Sequence, residues 1–66
     1  MFNRGDRVRV QGFGGKTAIL RVWDVRPGGL LLCSEQGYKL LMVGKDAPLV
    51  GFPMSDIKQV ISKGAA

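Results

Sequence analysis

Glycine and proline interrupt this chain so often that only short segments remain between them. The 66 residues include ten glycines and three prolines, and the intervening segments are rich in valine, isoleucine and leucine. Branched aliphatic residues favour extended backbone, whereas glycine and proline are typical of turns. Short apolar segments bounded by turn residues therefore predict an all-β fold.

The length of the chain limits it to one small domain. A domain of this size buries only about 60% of the surface that its unfolded chain exposes, so its core is small. We expect one domain over residues 1–66, with residues 62–66 frayed because they are small and polar. This size excludes a multidomain enzyme.

The residue types that usually carry catalysis and metal binding are scarce. The chain has no histidine, which is the usual general base and the commonest zinc ligand. Its single cysteine, Cys33, cannot form an internal disulfide, and no pair of its five carboxylates is spaced for acid–base catalysis. The sequence therefore predicts a protein that is not an enzyme, has no catalytic residues, and binds no metal and no cofactor.

Cysteine usage and hydropathy indicate a cytoplasmic protein. Cys33 follows three leucines, so we expect a buried strand residue in a reduced, intracellular protein. A membrane-spanning helix needs roughly 20 apolar residues, and no apolar run approaches that length. We expect no membrane association.

The first predicted strand, Asp6–Gln11, has a regular period of two. Val8 and Val10 point to one side, and Arg7 and Arg9 point to the other together with the last residue of the strand. Alternation of this kind is typical of a strand with one buried face. This strand therefore has an apolar inner face and a basic outer face.

The second predicted strand, Thr17–Arg26, is ten residues long. A strand of this length in so small a domain must bend or carry a bulge to close around a core. Its alternation places Arg21 and Trp23 on the face opposite to the leucine and alanine side chains of the strand. Residues 27–29, Pro-Gly-Gly, then predict a turn.

The remaining segments complete the predicted sheet. The third strand is Leu30–Ser34 and the fourth is Tyr38–Val43. The short hairpin loop Glu35–Gly37 joins them. An extended segment, Leu49–Phe52, then stops at Pro53. One helical turn runs from Pro53 or Met54 to Ile57, and a short last strand, Lys58–Ile61, follows it. The alternative for the last part is one continuous helix over residues 55–62.

Short strands, a long second strand and a helical turn before the last strand resemble the small barrel of SH3-like domains. The opening Gly5-Asp6-Arg7-Val8-Arg9-Val10, followed by Gly12-Phe13, Gly15-Lys16 and Ile19-Leu20-Arg21-Val22, resembles a KOW motif. KOW modules are barrels of this kind in ribosomal proteins and transcription elongation factors. The resemblance implies a five-stranded SH3-like small barrel with one short helical turn before the last strand.

Residues 5–9 also resemble the start of the type II plasmid dihydrofolate reductases, which are short SH3-like barrels that work as tetramers around a shared pore. The pore strand of that family carries Gln-Ile-Tyr-Pro, and the matching place here is Val50–Pro53. The glutamine amide and the tyrosine hydroxyl that would hold folate and nicotinamide are missing at Val50 and Phe52. The resemblance implies a shared architecture, and a small oligomeric enzyme with a composite pore is a remote alternative.

Positive charge is concentrated in the first half of the chain. The net charge is +5, and residues 1–33 carry six basic and two acidic side chains, whereas residues 34–66 carry four and three. A basic surface with interleaved aromatic residues is typical of nucleic-acid binding. We therefore expect a nucleic acid or an acidic protein to bind at Arg7, Arg9, Phe13, Lys16, Arg21, Trp23 and Arg26.

The environment of Trp23 has three alternatives at this point. On the outer face, its ring would stack on nucleic-acid bases beside the arginines. A bulge in the second strand would instead turn the ring into the core. Tryptophan is also a favoured anchor of protein interfaces.

Apolar residues on both faces of the third and fourth predicted strands indicate self-association. A barrel of this size has only one interior, so the outward set needs a partner or a second copy to cover it. We expect a homo-oligomer with an interface at Leu31, Leu41 and Val43. The alternative to a binding module is therefore a homo-oligomeric protein-interaction or structural subunit.

Overall fold

The structure is a computed structural model that describes residues 2–12 and 15–63. Within these residues the chain is mostly strand, so the predicted all-β class is confirmed. Phe13, a predicted binding residue, and residues 64–66 of the predicted frayed tail lie outside the described residues. No helix in the described part of the chain is long and apolar enough to cross a membrane.

Five antiparallel strands form one sheet, in the order β4-β3-β2-β1-β5. The strands are β1 (Arg7–Gln11), β2 (Thr17–Arg26), β3 (Gly29–Cys33), β4 (Val50–Pro53) and β5 (Ile57–Ser62). One helix, α1 (Glu35–Met42), connects β3 to β4, and a single 3-10 turn (Met54–Asp56) precedes β5. The first three predicted strands and the helical turn before the last strand are therefore confirmed, whereas the alternative of a continuous helix over residues 55–62 is wrong.

The alternation predicted for β1 is present in the structure. Val8 and Val10 are fully buried, whereas Arg7 and Arg9 lie on the other face and are partly exposed. The neighbouring strand β2 has its apolar side chains on the same face, since Val8 pairs with the half-buried Leu20. The period of two in the sequence therefore identified both faces of this part of the sheet.

The predicted irregularity of β2 lies at Trp23. Val22 pairs with Leu32, but the next pair is Asp24 with Leu31, so Trp23 is an extra residue on β2. A bulge of this kind increases the local twist and lets a long strand curve. The ten-residue strand therefore bends as expected, and the bulge changes which side chains face outward beyond it.

Residues 35–42 form a helix, so the predicted hairpin loop at 35–37 and the predicted fourth strand Tyr38–Val43 are wrong. Ser34 caps the helix, because its hydroxyl accepts a hydrogen bond of 2.9 Å from the backbone N–H of Gly37. A short apolar run such as Leu40–Val43 does not by itself distinguish a strand from a helix. The extended segment expected at residues 49–52 provides the fourth strand instead, as β4.

The hydrophobic core lies on one face of the sheet, which we call the core face. It consists of five fully buried side chains, and four partly buried ones pack against them. The buried set is Val8, Val10, Val22, Leu30 and Leu32, and the surrounding set is Phe2, Leu20, Phe52 and Ile57. All five buried side chains come from β1, β2 and β3, so the three central strands hold the fold together.

The opposite face of the sheet, which we call the outer face, is partly covered by α1. Gly37 is buried in this contact, and a Cβ atom added there would lie 3.6 Å from the Cβ of Cys33 and 3.4 Å from that of Ala47. Cys33 is only 3% exposed, so its predicted burial is confirmed. The helix backbone therefore lies close to β3 at a position where a larger side chain would be tight.

Candidate functional site

The outer face divides into a half that α1 covers and an open half. Arg7 of β1 pairs with Arg21 of β2, next to Cys33 of β3, and this row lies beside the first turn of α1. The next outward row contains Arg9 and Ile19. Three of the predicted binding arginines therefore share one face, but only Arg9 lies in the open half.

In the covered half, the carboxylate of Glu35 binds two arginines at once. Arg7 donates from Nε to Oε1 over 3.0 Å, and Arg21 donates to Oε2. Burial raises the pKa of the Glu35 carboxyl, but the hydrogen bond from Arg7 and the charges of Arg21 and Arg7 lower it by more. The net effect is a pKa below the ordinary value, so one carboxylate holds two of the predicted anion-binding side chains.

Stacked cations and aromatic rings extend from this ion pair along the surface. The Arg21 guanidinium lies 4.1 Å from the centre of the Tyr38 ring, and Tyr38 meets Trp23 edge to face with ring centres 5.9 Å apart. Arg4 covers the Trp23 ring at 4.2 Å and donates from Nε to the Trp23 carbonyl over 2.6 Å. Arginine is well suited to stacking of this kind.

This stack excludes one of the three environments considered for Trp23, burial in the core. Trp23 is half-buried and is not a member of the core cluster, although the bulge that would have turned it inward exists. Its ring is in contact with Arg4 and Tyr38. Part of the ring surface is thus already used by the protein itself, which reduces the area left for a stacked base.

Two predicted binding cations lie outside the covered half: Arg9 is in the open half of the outer face, and Lys16 is in the loop before β2. Arg9 donates from a terminal guanidinium nitrogen to the side-chain carbonyl of Gln59 over 3.0 Å. Lys16 is exposed, and its carbonyl accepts a 2.7 Å hydrogen bond from the N–H of Gly12 across the loop. Among the described residues, no carboxylate lies within ion-pairing distance of Arg9 or Lys16.

Arg26 lies apart from the other predicted binding residues, at the far end of β2. It forms an exposed ion pair with Asp24, with Nε 3.0 Å from Oδ2. The bulge at Trp23 and the remaining length of β2 separate it from Arg21. Of the seven predicted residues, Arg7 and Arg21 are covered, Arg9 is in the open half, Lys16 is in a loop and Arg26 is distant. Trp23 is stacked, and Phe13 lies outside the described residues.

Several residues that shape this surface were missed by the sequence analysis. Glu35, Tyr38 and Arg4 were not among the predicted site residues, although they determine the environment of Arg21 and Trp23. The available signal was Ser34 followed at once by an acidic residue, which is typical of a helix N-terminus. This signal was not used, because residues 38–43 were assigned to a strand.

A buried carboxylate near the start of the sheet was also missed. Asp6 is fully buried; its Oδ2 lies 2.7 Å from Nζ of Lys63 and accepts a 3.0 Å hydrogen bond from the N–H of Asn3. The Asp6 carbonyl accepts a bond of 2.8 Å from the N–H of Val22. This residue ties the two ends of the described chain to the sheet and is therefore structural.

The thiol of Cys33 has the properties of a packed side chain. Burial raises its pKa, the positive charge of Arg21 lowers it, and the negative charge of Glu35 raises it, with a net upward shift. A raised pKa reduces the thiolate that nucleophilic or redox chemistry needs. In residues 2–12 and 15–63, no group of three or more His, Cys, Asp or Glu side chains is placed to hold a metal ion.

The residues predicted for an oligomer interface occupy different surroundings from those expected. Leu31 is half-buried on β3, Leu41 is half-buried on α1, and Val43 is 69% exposed just after α1. Leu41 and Val43 were expected on a strand, which was wrong, but an exposed apolar surface is present. Other exposed large apolar side chains include Ile19, Met42, Leu49, Val50, Val60 and Ile61.

Comparisons with known proteins give no relationship for this chain. No protein-family model, no curated protein and no solved structure matches it significantly.

Proposed function

We propose that this chain is a non-catalytic, intracellular binding module with an SH3-like barrel architecture, and that it binds nucleic acid. The binding surface is formed by Arg9 in the open half of the outer face and by Lys16 in the loop between β1 and β2. The observation that carries the proposal is that these two cations have no carboxylate partner among the described residues, in a protein of net charge +5.

The barrel part of the proposal is supported by strand order and curvature. In the sheet, β1 and β4 are separated by β2 and β3. Even so, Gln11 at the end of β1 and the residues of β4 line one cavity, so the sheet curls toward closure. A long, bulged β2 and a 3-10 turn before β5 are also typical of the SH3-like barrels that the sequence resembles.

The nucleic-acid part is supported by electrostatics. Phosphate backbones bind where several cations lie together without internal neutralisation. Arg9 is held in the open half by Gln59, which is uncharged and leaves the guanidinium charge available. Arg7 and Arg21 share the face, but they are paired with Glu35. They therefore contribute less than Arg9 to phosphate binding.

The proposal is tested by fluorescence anisotropy with labelled single-stranded DNA, RNA and duplex DNA. Between about 50 mM and 200 mM salt the affinity falls steeply, because binding releases counterions. Arg9→Ala and Lys16→Ala each weaken binding and reduce the slope of log affinity against log salt by about 0.7 per lost contact with a single strand. Lys45→Ala, in the loop after α1, is the matched control and leaves the slope unchanged.

A charge-restoring variant makes this test sharper. Glu35→Gln releases Arg7 and Arg21 from their shared carboxylate, so it strengthens binding if the outer face is the binding surface. Absence of binding to all three nucleic acids at low salt would exclude the proposal. Binding of an acidic peptide in that situation would assign the same surface to a protein partner.

A second candidate function, a homo-oligomeric interaction subunit, is favoured by the exposed apolar surface at the end of α1. Met42 is 57% exposed and Val43 is 69% exposed, and adjacent apolar side chains of this kind are often covered by a partner. Sedimentation velocity at micromolar concentration tests this candidate. A homo-oligomer that Val43→Lys dissociates would support it, and a monomeric wild-type protein would exclude it.

A further inference from the structure

A cavity lies between β1 and β4. It is lined by Gln11 and Gly12 at the end of β1, by all four residues of β4, and by Asp56 of the 3-10 turn. Its volume is about 360 Å³. Sites for small organic ligands commonly begin at about 300 Å³, so the cavity is large enough for a compact ligand.

The walls of the cavity are mainly apolar and are held by the fold. Phe52 is half-buried and packs against the core cluster, and it pairs with Leu30 of β3. Val50 and Pro53 flank it on the same strand. Two glycines in the lining, Gly12 and Gly51, leave the main chain open to close approach. The cavity therefore offers a preformed surface for an aliphatic or aromatic group.

The polar side chains in the lining give the cavity a charge. Asp56 is half-buried, and no basic side chain among the described residues lies within ion-pairing distance of it. By contrast, Asp6, Asp24 and Glu35 all have a cationic partner. Gln11 adds an uncharged amide to the same wall. One unpaired carboxylate beside an apolar wall favours a cation with an apolar body.

We infer that this cavity binds an organic cation, an ammonium or guanidinium group on a short apolar stem. Asp56 accepts hydrogen bonds from the cationic head, and Gln11 contributes a further polar contact. Phe52, Val50 and Pro53 contact the stem, and an aromatic ring also attracts a cation placed over its face. The lining does not include Arg9 or Lys16, and the site takes a ligand of opposite charge.

Binding is tested by following backbone amide signals of the full chain in two-dimensional NMR during titration with butylguanidinium or butylammonium chloride. We expect saturable shifts at Gly51, Phe52 and Asp56. Butan-1-ol, which has the same stem without the charge, and butyrate, which reverses the charge, produce much smaller shifts at equal concentration.

Two variants separate the charge of Asp56 from its structural role. Asp56→Asn removes the charge at nearly constant size and weakens binding about tenfold, because the hydrogen bond to the cation remains but loses the attraction between opposite charges. Asp46→Asn, a carboxylate of the loop after α1, leaves binding unchanged. Gln11→Glu adds a second carboxylate and tightens binding, so the inference stays testable if Asp56→Asn fails to fold.

The outcomes distinguish the inference from its alternatives. Equal shifts with butan-1-ol, or unchanged affinity in both Asp56→Asn and Gln11→Glu, would overturn it. Tighter binding of an acetylated Gly-Lys-Gly amide than of butylammonium identifies the cation as a side chain of a protein segment, and the reverse order identifies a free amine. Because the probes are cations, failure of this site and failure of nucleic-acid binding are independent results.

Discussion

Glu35 holds two arginine side chains of neighbouring strands together on the outer face. It bonds Arg7 and Arg21, and Arg21 in turn stacks on Tyr38. A side chain in the first turn of a helix thus organises residues of β1 and β2. At this scale, exposed ion pairs contribute little to stability, so the main effect of Glu35 is on the charge and order of the outer face.

The Glu35 ion pair makes part of the stability depend on pH. The pKa of Glu35 is lower in the folded protein than its ordinary value, so its contribution is present above the unfolded-state pKa of about 4.3 and is lost as pH falls through the folded-state value. We expect the urea midpoint of the wild type to fall more steeply than that of Glu35→Gln from about pH 7 to about pH 3.

Asp46→Asn is the control for this measurement, because Asp46 makes no ion pair within the described residues. Its pH dependence should follow that of the wild type. Parallel curves for the wild type and Glu35→Gln would show that the ion pair does not contribute to the pH dependence.

At the scale of secondary-structure elements, α1 is where sequence and structure disagree most. The strands β1, β2 and β3 follow from their alternation and their turn residues, because period-two burial and turn chemistry are local properties. The short apolar run Leu40–Val43 is compatible with both a strand and a helix when only its local sequence is considered. The helix is favoured by the Ser34 cap, which is a contact within its first turn, and by its packing against β2 and β3.

The cap of α1 is testable by one substitution. Ser34→Ala removes the acceptor for the N–H of Gly37 and lowers the free energy of unfolding by about 1 kcal/mol. Ser34→Asp restores an acceptor at the same place and retains most of the stability. Thermal denaturation measures both variants, and equal losses for alanine and aspartate would show that the cap hydrogen bond is not the cause.

At the scale of the whole molecule, a very small core supports the fold. Five side chains form the fully buried cluster in the described part of the chain. A domain of this size rarely gains more than about 3–5 kcal/mol from its core alone. Single core contacts are therefore a large fraction of the total stability.

Truncation of one core side chain should therefore unfold much of the protein. Leu32 is fully buried, and Leu32→Ala costs about 2–5 kcal/mol through lost burial and the cavity that remains. Leu49→Ala is the matched comparison, because Leu49 is 38% exposed and its truncation costs less than that of the fully buried Leu32. Circular dichroism of both variants at room temperature gives the folded and unfolded populations. A fully folded Leu32→Ala protein would show that the core contact of Leu32 is not a large fraction of the total stability.

Four properties follow from the sequence alone: the all-β class, the two faces of β1, the bend in β2 and the excess of positive charge. These properties depend on local alternation, turn residues and composition, which do not need distant contacts. Contacts between segments settled the rest: α1 packs on β2 and β3, Glu35 pairs with both Arg7 and Arg21, and β1 and β4 line one cavity. The ion pairs and the cavity bring together segments far apart in the chain, and local alternation carries no information about such contacts. The helix begins at a local cap, but its preference over the competing strand depends on its packing against the sheet.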